Sequence, residues 1–262
     1  MASGSSIVGA ARWLRDAASW RAFLGHTMLY TSSSVVARFV SGQPLSQVLM
    51  QGWCAGVARQ VGMNIEAQGL ERLQTAGACV LVANHLSALD IPAIGSQLAI
   101  DYRWVAKSTL FKMPFLGWHL WASGHIPVDR RKAGNLERMQ AMVRDVFETG
   151  GAVLFFAEGT RSRDGALQMF KNGAFATAVT EGVPVMPIVV DGTQRLLTKG
   201  SIRFPRGVDT RIRLRVLPAV EAPADGEFDA RVDALRDQVR TTMVAALDDM
   251  RGEPGAAEKP WR

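Results

Sequence analysis

The chain has 262 residues, of which 48% are hydrophobic and 21% charged, enough apolar material for a sizeable core and too much for wholesale disorder. Its two cysteines, Cys54 and Cys79, exclude a disulfide framework and a four-thiolate zinc site, and make a reducing compartment the default. Thirty Lys and Arg against 24 Asp and Glu give a net charge of +6, which points to anionic partners such as phosphates, nucleic acid or an acidic lipid surface.

Residues 1–60 read as helical. Arg12, Arg15, Asp16 and Arg21 interrupt the opening, so it reads as no cleaved signal. Two uncharged stretches, Ala22 to Ala37 and Phe39 to Ala58, are separated by Arg38 and closed by Arg59. The first is short of the roughly 20 apolar residues a membrane span needs, and the second carries Gln43, Pro44, Ser46, Gln47 and Gln51. Five arginines against Asp16 alone are interleaved with Trp13, Trp20, Phe23, Tyr30, Phe39 and Trp53, a mixture suited to a bilayer interface. The competing reading is a pair of ordinary helices packed on the domain.

From about residue 63 the pattern changes to short β-rich runs separated by helical ones. Expected strands are Asn64 to Gln68, Ala78 to Ala83, Tyr102 to Ala106, Ala152 to Phe156, Pro184 to Val190 and Arg211 to Leu217. Several are continuously apolar, as strands covered on both faces tend to be. Leu136, Met139, Val143 and Val146 recur at helical spacing, and Phe228, Val232, Leu235, Val239, Met243 and Leu247 predict a terminal helix docked on the body. The alternation implies an α/β fold, a mixed and largely parallel central sheet flanked by helices, with an N-terminal helical membrane-interface segment. The domain expectation is a membrane-associating segment over 1–60, a folded domain over 61–251 and a frayed tail over 252–262.

The chemistry concentrates where two apolar strands end. In Val80-Leu81-Val82-Ala83-Asn84-His85-Leu86-Ser87-Ala88-Leu89-Asp90, the strand delivers Asn84 and His85 to its carboxyl end, where open α/β sheets place ligands, and a helix is expected from near Ser87. On one continuous helix His85 and Asp90 would lie about 140° apart. They meet only if the histidine sits in the turn before the helix and the aspartate reaches back from its first or second turn. The carboxylate then fixes the imidazole tautomer and leaves the other ring nitrogen free to take a proton. The second strand ends in Phe155-Phe156-Ala157-Glu158-Gly159-Thr160-Arg161-Ser162-Arg163, a turn with a glycine and forked donors for a phosphate.

These blocks together resemble the lysophospholipid and glycerolphosphate acyltransferase family. His85 and Asp90 match its histidine, four residues, aspartate signature, and Phe156-Ala157-Glu158-Gly159-Thr160-Arg161-Ser162 matches its Phe-Pro-Glu-Gly-Thr-Arg-Ser block, with Ala157 in place of the proline. Gly124-His125-Ile126-Pro127-Val128-Asp129-Arg130 and Val183-Pro184-Val185-Met186-Pro187-Ile188 resemble two further blocks, with Pro127 where an apolar residue is usual. Lys107 and the run Phe170 to Phe175 also match, so the likeness covers roughly residues 60–220.

The resemblance implies transfer of a fatty acyl group from acyl-CoA or an acyl carrier protein to the sn-2 hydroxyl of 1-acyl-glycerol-3-phosphate. His85 would be the base and Asp90 its orienting partner. Glu158, Gly159, Thr160 and Arg161 would form the acceptor-binding turn, with Lys107 and Arg130 as further phosphate contacts. It implies no cofactor beyond the thioester co-substrate, no metal, no nucleic-acid partner, and a place at the cytoplasmic face of a membrane. Another lysolipid acceptor, such as lyso-ornithine lipid, and a non-catalytic acidic-lipid binder are the alternatives.

Overall fold

The computed structural model describes residues 4–41, 43–129, 135–201 and 207–252. Two helices open the chain, α1 (Gly4–Val40) and α2 (Gln43–Gln60). There follow β1 (Asn64–Gln68), α3 (Glu71–Gln74), β2 (Cys79–Ala83), α4 (Asp90–Gly95), β3 (Tyr102–Lys107), a 3₁₀ turn (Ser108–Lys112), α5 (Leu116–Ala122) and β4 (Ile126–Val128). The second half runs α6 (Asn135–Glu148), β5 (Ala152–Phe156), α7 (Gly173–Glu181), β6 (Val185–Asp191), α8 (Thr193–Leu196), β7 (Arg211–Val216) and α9 (Phe228–Arg251).

Among the described residues these strands form one sheet of order β1-β7-β6-β2-β5-β3-β4. Every pairing is parallel except β6 with β7. The mixed, largely parallel sheet flanked by helices is the fold class expected from the alternation of runs. Side chains alternate between its faces. Val80 and Val82 enter the core under α6, α7 and α9, whereas Cys79, Leu81 and Ala83 enter the core under α2, α4 and α5. Both faces are covered, which is why β2 has no polar residue and is buried throughout.

Three local readings change. The helix expected from near Ser87 begins at Asp90, because the Ser87 hydroxyl takes the Leu89 amide (3.2 Å) and the Asp90 carboxylate takes the amides of Leu86 and Ser87, which holds 86–89 in a turn. β4 was not expected; it is three residues long and contains Pro127, which an edge strand tolerates. The α9 stripe is buried from Val232 to Leu247, but Phe228 at the first turn is exposed. The tail beyond Gly252 lies outside the described residues.

The N-terminal hairpin divides its faces. Gly52 and Gly56 let α1 approach α2 closely: a Cβ at Gly52 would come within 2.7 Å of the Tyr30 ring, and one at Gly56 would collide with His26. The docked face carries a buried polar seam. Trp53 Nε1 donates to Thr27 Oγ1 (3.1 Å), Thr31 Oγ1 to the Phe115 carbonyl (3.2 Å), Gln51 to the Leu98 carbonyl (2.6 Å) and Gln47 to the Ser123 carbonyl. Leu24, Leu29, Val36, Phe39 and Val40 of α1 are exposed, and Phe39 meets the exposed Trp121 of α5. No helix among the described residues is long and apolar enough to cross a membrane.

Candidate active site

β2 and β5 are neighbours in parallel register, Ala83 opposite Phe156, so the two polar turns that follow them emerge side by side at the carboxyl edge of the sheet. Asn84 extends the sheet by one residue in side-chain form. Its amide nitrogen donates to the Val190 carbonyl and its carbonyl oxygen accepts the Val190 amide, both at 2.8 Å. This fixes the backbone immediately before His85.

His85 Nδ1 lies 2.8 Å from Asp90 Oδ2. The contact is possible because His85 precedes the turn while Asp90 is the first residue of α4. Asp90 is fully buried and its carboxylate is saturated. Oδ2 also accepts the amides of Leu86 (2.6 Å) and Ser87 (2.8 Å), and Oδ1 accepts the Thr193 hydroxyl. An oxygen that accepts two amides has no need of its own proton, so the hydrogen between the pair sits on Nδ1 and the lone pair is left on Nε2. The imidazole stacks on Phe156, with centroids 4.0 Å apart and planes 20° apart, and its side chain is 16% exposed. The ring is therefore oriented on one edge, supported on one face and accessible at Nε2.

Glu158 is also buried, and it faces inward. Oε1 accepts the His85 amide (2.6 Å) and Oε2 the Gln168 amide (3.0 Å). Burial pushes its carboxyl up to about 7, against the lowering effect of those two amides, with the nearby Asp90 charge adding to the rise. The Ser162 amide donates back to the His85 carbonyl (2.8 Å), so the two turns hold each other at both ends of His85. Gly159 has φ +68°, a left-handed conformation that glycine adopts without steric cost. Thr160 is exposed and Arg161 half-buried, its guanidinium without a protein partner among the described residues.

Lys107 ends β3 at the same edge, one strand beyond β5, and is exposed. Arg130 lies outside the described residues. The structure thus brings His85, Asp90, Glu158, Gly159, Thr160 and Arg161 together, with Lys107 on the same rim.

Four participants were not identified from sequence: Phe156 beneath the imidazole, Gln168 on Glu158, Thr193 on Asp90, and Lys199. Lys199 Nζ donates to Thr160 Oγ1 (3.1 Å) and to the Arg161 carbonyl (2.6 Å). Thr193 and Lys199 belong to one segment after β6, which also offers the Leu197 carbonyl to Ser87 Oγ (2.6 Å). The one available signal was the polar turn Asp191-Gly192-Thr193 at the end of an apolar strand, on the edge that already carried both motifs.

A family profile described as Acyltransferase matches residues 64–191, the stretch from β1 to the end of β6. The chloroplastic 1-acyl-sn-glycerol-3-phosphate acyltransferase of Brassica napus is 34% identical over 184 residues, 70% of this chain and 51% of that protein. The chain thus spans about half the length of this plastid relative. The 1-acyl-sn-glycerol-3-phosphate acyltransferase alpha of Ovis aries is 32% identical over 204 residues, 76% of this chain and 69% of that protein. The crystal structure of the 1-acyl-sn-glycerophosphate acyltransferase PlsC from Thermotoga maritima superposes with a TM-score of 0.77 at 21% identity, covering 93% of this chain and 97% of that one, and shares the fold.

Proposed function

The chain belongs to the acyltransferase family, and on that footing we propose that it transfers a fatty acyl group from a thioester to the sn-2 hydroxyl of 1-acyl-glycerol-3-phosphate, giving phosphatidic acid. The observation that carries this reading is the His85–Asp90 pair, with a tautomer-fixed imidazole whose Nε2 is open. Transfer from a thioester needs no protein nucleophile, because the acyl group is already activated. His85 Nε2 takes the proton of the acceptor hydroxyl as its oxygen attacks the thioester carbonyl. The tetrahedral intermediate then collapses with breakage of the carbon–sulfur bond, and the imidazolium returns the proton to the leaving thiolate. Asp90 stabilises the transient imidazolium. A positioned base of this kind contributes about 10²–10⁴-fold.

Arg161 is the principal ligand of the acceptor phosphate in this reading, as a planar fork suits two phosphate oxygens, with Lys107 and Arg130 as further contacts. The donor carries its acyl group on CoA or on an acyl carrier protein, with no other cofactor. The exposed apolar face of α1, continued by Trp121, rests on the cytoplasmic leaflet in which the acceptor resides.

The test is acyl transfer by purified protein presented with a panel of lysolipids in vesicles and radiolabelled thioester on each carrier. Lysophosphatidic acid is expected to be the preferred acceptor. Preference for a phosphate-free acceptor such as lyso-ornithine lipid would overturn the assignment.

A further inference from the structure

We propose that Lys199 is a ligand of the acceptor's phosphate, completing with Thr160 and Arg161 a three-donor site for a phosphomonoester; this rests on the acceptor reading above. Lys199 lies outside every motif that marks the catalytic region, 38 residues from Arg161, and reaches the turn only through the fold.

An ammonium has three N–H donors, and the Lys199 Nζ spends two, on Thr160 Oγ1 and on the Arg161 carbonyl. One remains. The Thr160 hydroxyl accepts from Lys199, so its own hydrogen points elsewhere, and Thr160 is exposed. Arg161 adds a guanidinium with no protein partner among the described residues. Donors from two adjacent residues and one distant lysine thus belong to a single turn or touch it.

Several cations elsewhere are paired with acids: Arg251 with Asp191 (2.9 Å), Arg144 with Glu181 (3.1 Å), Arg215 with Asp249 (2.7 Å) and Arg236 with Asp233 (2.6 Å). No carboxylate among the described residues pairs with Lys199 or Arg161, although the ammonium and the Arg161 backbone are in direct contact. An ammonium bound to the backbone of a turn that also carries an arginine, with no acid paired to either, suits an anion, and a doubly charged phosphomonoester supplies the matching charge and oxygens.

The segment that carries Lys199 also donates Thr193 to Asp90 and accepts Ser87 at Leu197. Lys199 and the groups that support Asp90 and Ser87 therefore lie on one short segment at the edge that carries His85.

The test uses the full chain and sn-glycerol 3-phosphate as probe, with binding read by calorimetry, alongside acyl transfer to lysophosphatidic acid. Lys199→Ala should weaken glycerol-phosphate binding about 10- to 100-fold, the worth of one charge-assisted hydrogen bond. It should raise KM for lysophosphatidic acid by a similar factor, with kcat and donor KM within about threefold. Lys199→Arg should recover most of the loss, and Arg215→Ala, a cation already paired, should bind as the wild type does. Unchanged binding in Lys199→Ala would overturn the proposal, as would a loss that Lys199→Arg fails to recover or a wild-type protein with no affinity for the probe. If the wild type binds the probe in a Lys199-dependent way but does not acylate lysophosphatidic acid, the acceptor reading fails while the phosphate site stands.

Discussion

Two regions of this sheet treat charge in opposite ways. At the β1–β7 edge a cavity of about 200 Å³ is lined by Glu66, Gln68, Arg213, Arg215 and Asp249, and its cations are satisfied: Arg215 by Asp249 and Gln68, Arg213 by the Met250 carbonyl. At the carboxyl edge of β2 and β5 the acids are turned inward, Asp90 onto His85 and backbone amides, Glu158 onto the amides of His85 and Gln168, and the cations are left to solvent. A concave, charged surface alone therefore does not mark a site. What separates the two regions is segregation, with the carboxylates beside β2 and β5 spent on internal geometry and Lys107, Arg161 and Lys199 paired with no acid among the described residues.

Asp90→Asn attacks the inward half of that division. It keeps the size of the side chain and can still turn a carbonyl oxygen to His85, Leu86 and Ser87, with its NH2 toward the Thr193 hydroxyl, but it removes the negative charge. Turnover should fall by about 10²-fold or more, through loss of the charge that stabilises the imidazolium, with acceptor KM changed far less. Steady-state kinetics on folded protein separates the two.

Arg161→Lys addresses the outward half. The charge survives and the fork is lost, so KM for lysophosphatidic acid should rise about tenfold while donor KM stays put. Equal losses toward both substrates would mean that the turn had been disturbed and not merely its ligand.

The smallest effect concerns Glu158. Its carboxyl is raised to about 7 in the folded protein from the ordinary 4.5, so the fold favours the neutral form. The stability this gives is complete below about pH 4.5 and is lost as pH rises through about 7. Glu158→Gln cannot titrate. It loses one acceptor for a backbone amide and should start less stable, but the gap to the wild type should close as pH rises from 5 to 7.5, read as melting temperature. A gap that is constant over this range would contradict the inward, buried placement.

The sequence displayed what is local. The strand before Asn84, the His85 to Asp90 interval and the turn from Glu158 to Arg161 are contiguous runs whose residue types state their own geometry, and strands such as Cys79–Ala83 and Ala152–Phe156 fall where apolar runs lie between turn residues. It could not display direction. Glu158 and Arg161 are three residues apart in one turn, yet one points into the protein and the other lies at its surface; only the position of the His85 and Gln168 amides decides that. Nor could it display Thr193, 103 residues from Asp90, or Lys199, 39 from Thr160, since neither pairing leaves a periodic or motif-like trace. The N-terminal hairpin was ambiguous for a similar reason. Packed and interfacial readings share one composition, and the structure divides them by face, with Thr27, Thr31, Gln47 and Gln51 against the body and Leu29, Val36 and Phe39 away from it.

The central claim is that His85 is the base. It is tested most directly by His85→Ala, assayed for radiolabelled acyl transfer to lysophosphatidic acid and, in parallel, for sedimentation with anionic vesicles. Transfer should drop by between about 10² and 10⁴-fold while vesicle binding is retained, because lipid attraction does not use the imidazole. A variant that still turns over at the wild-type rate would contradict the account.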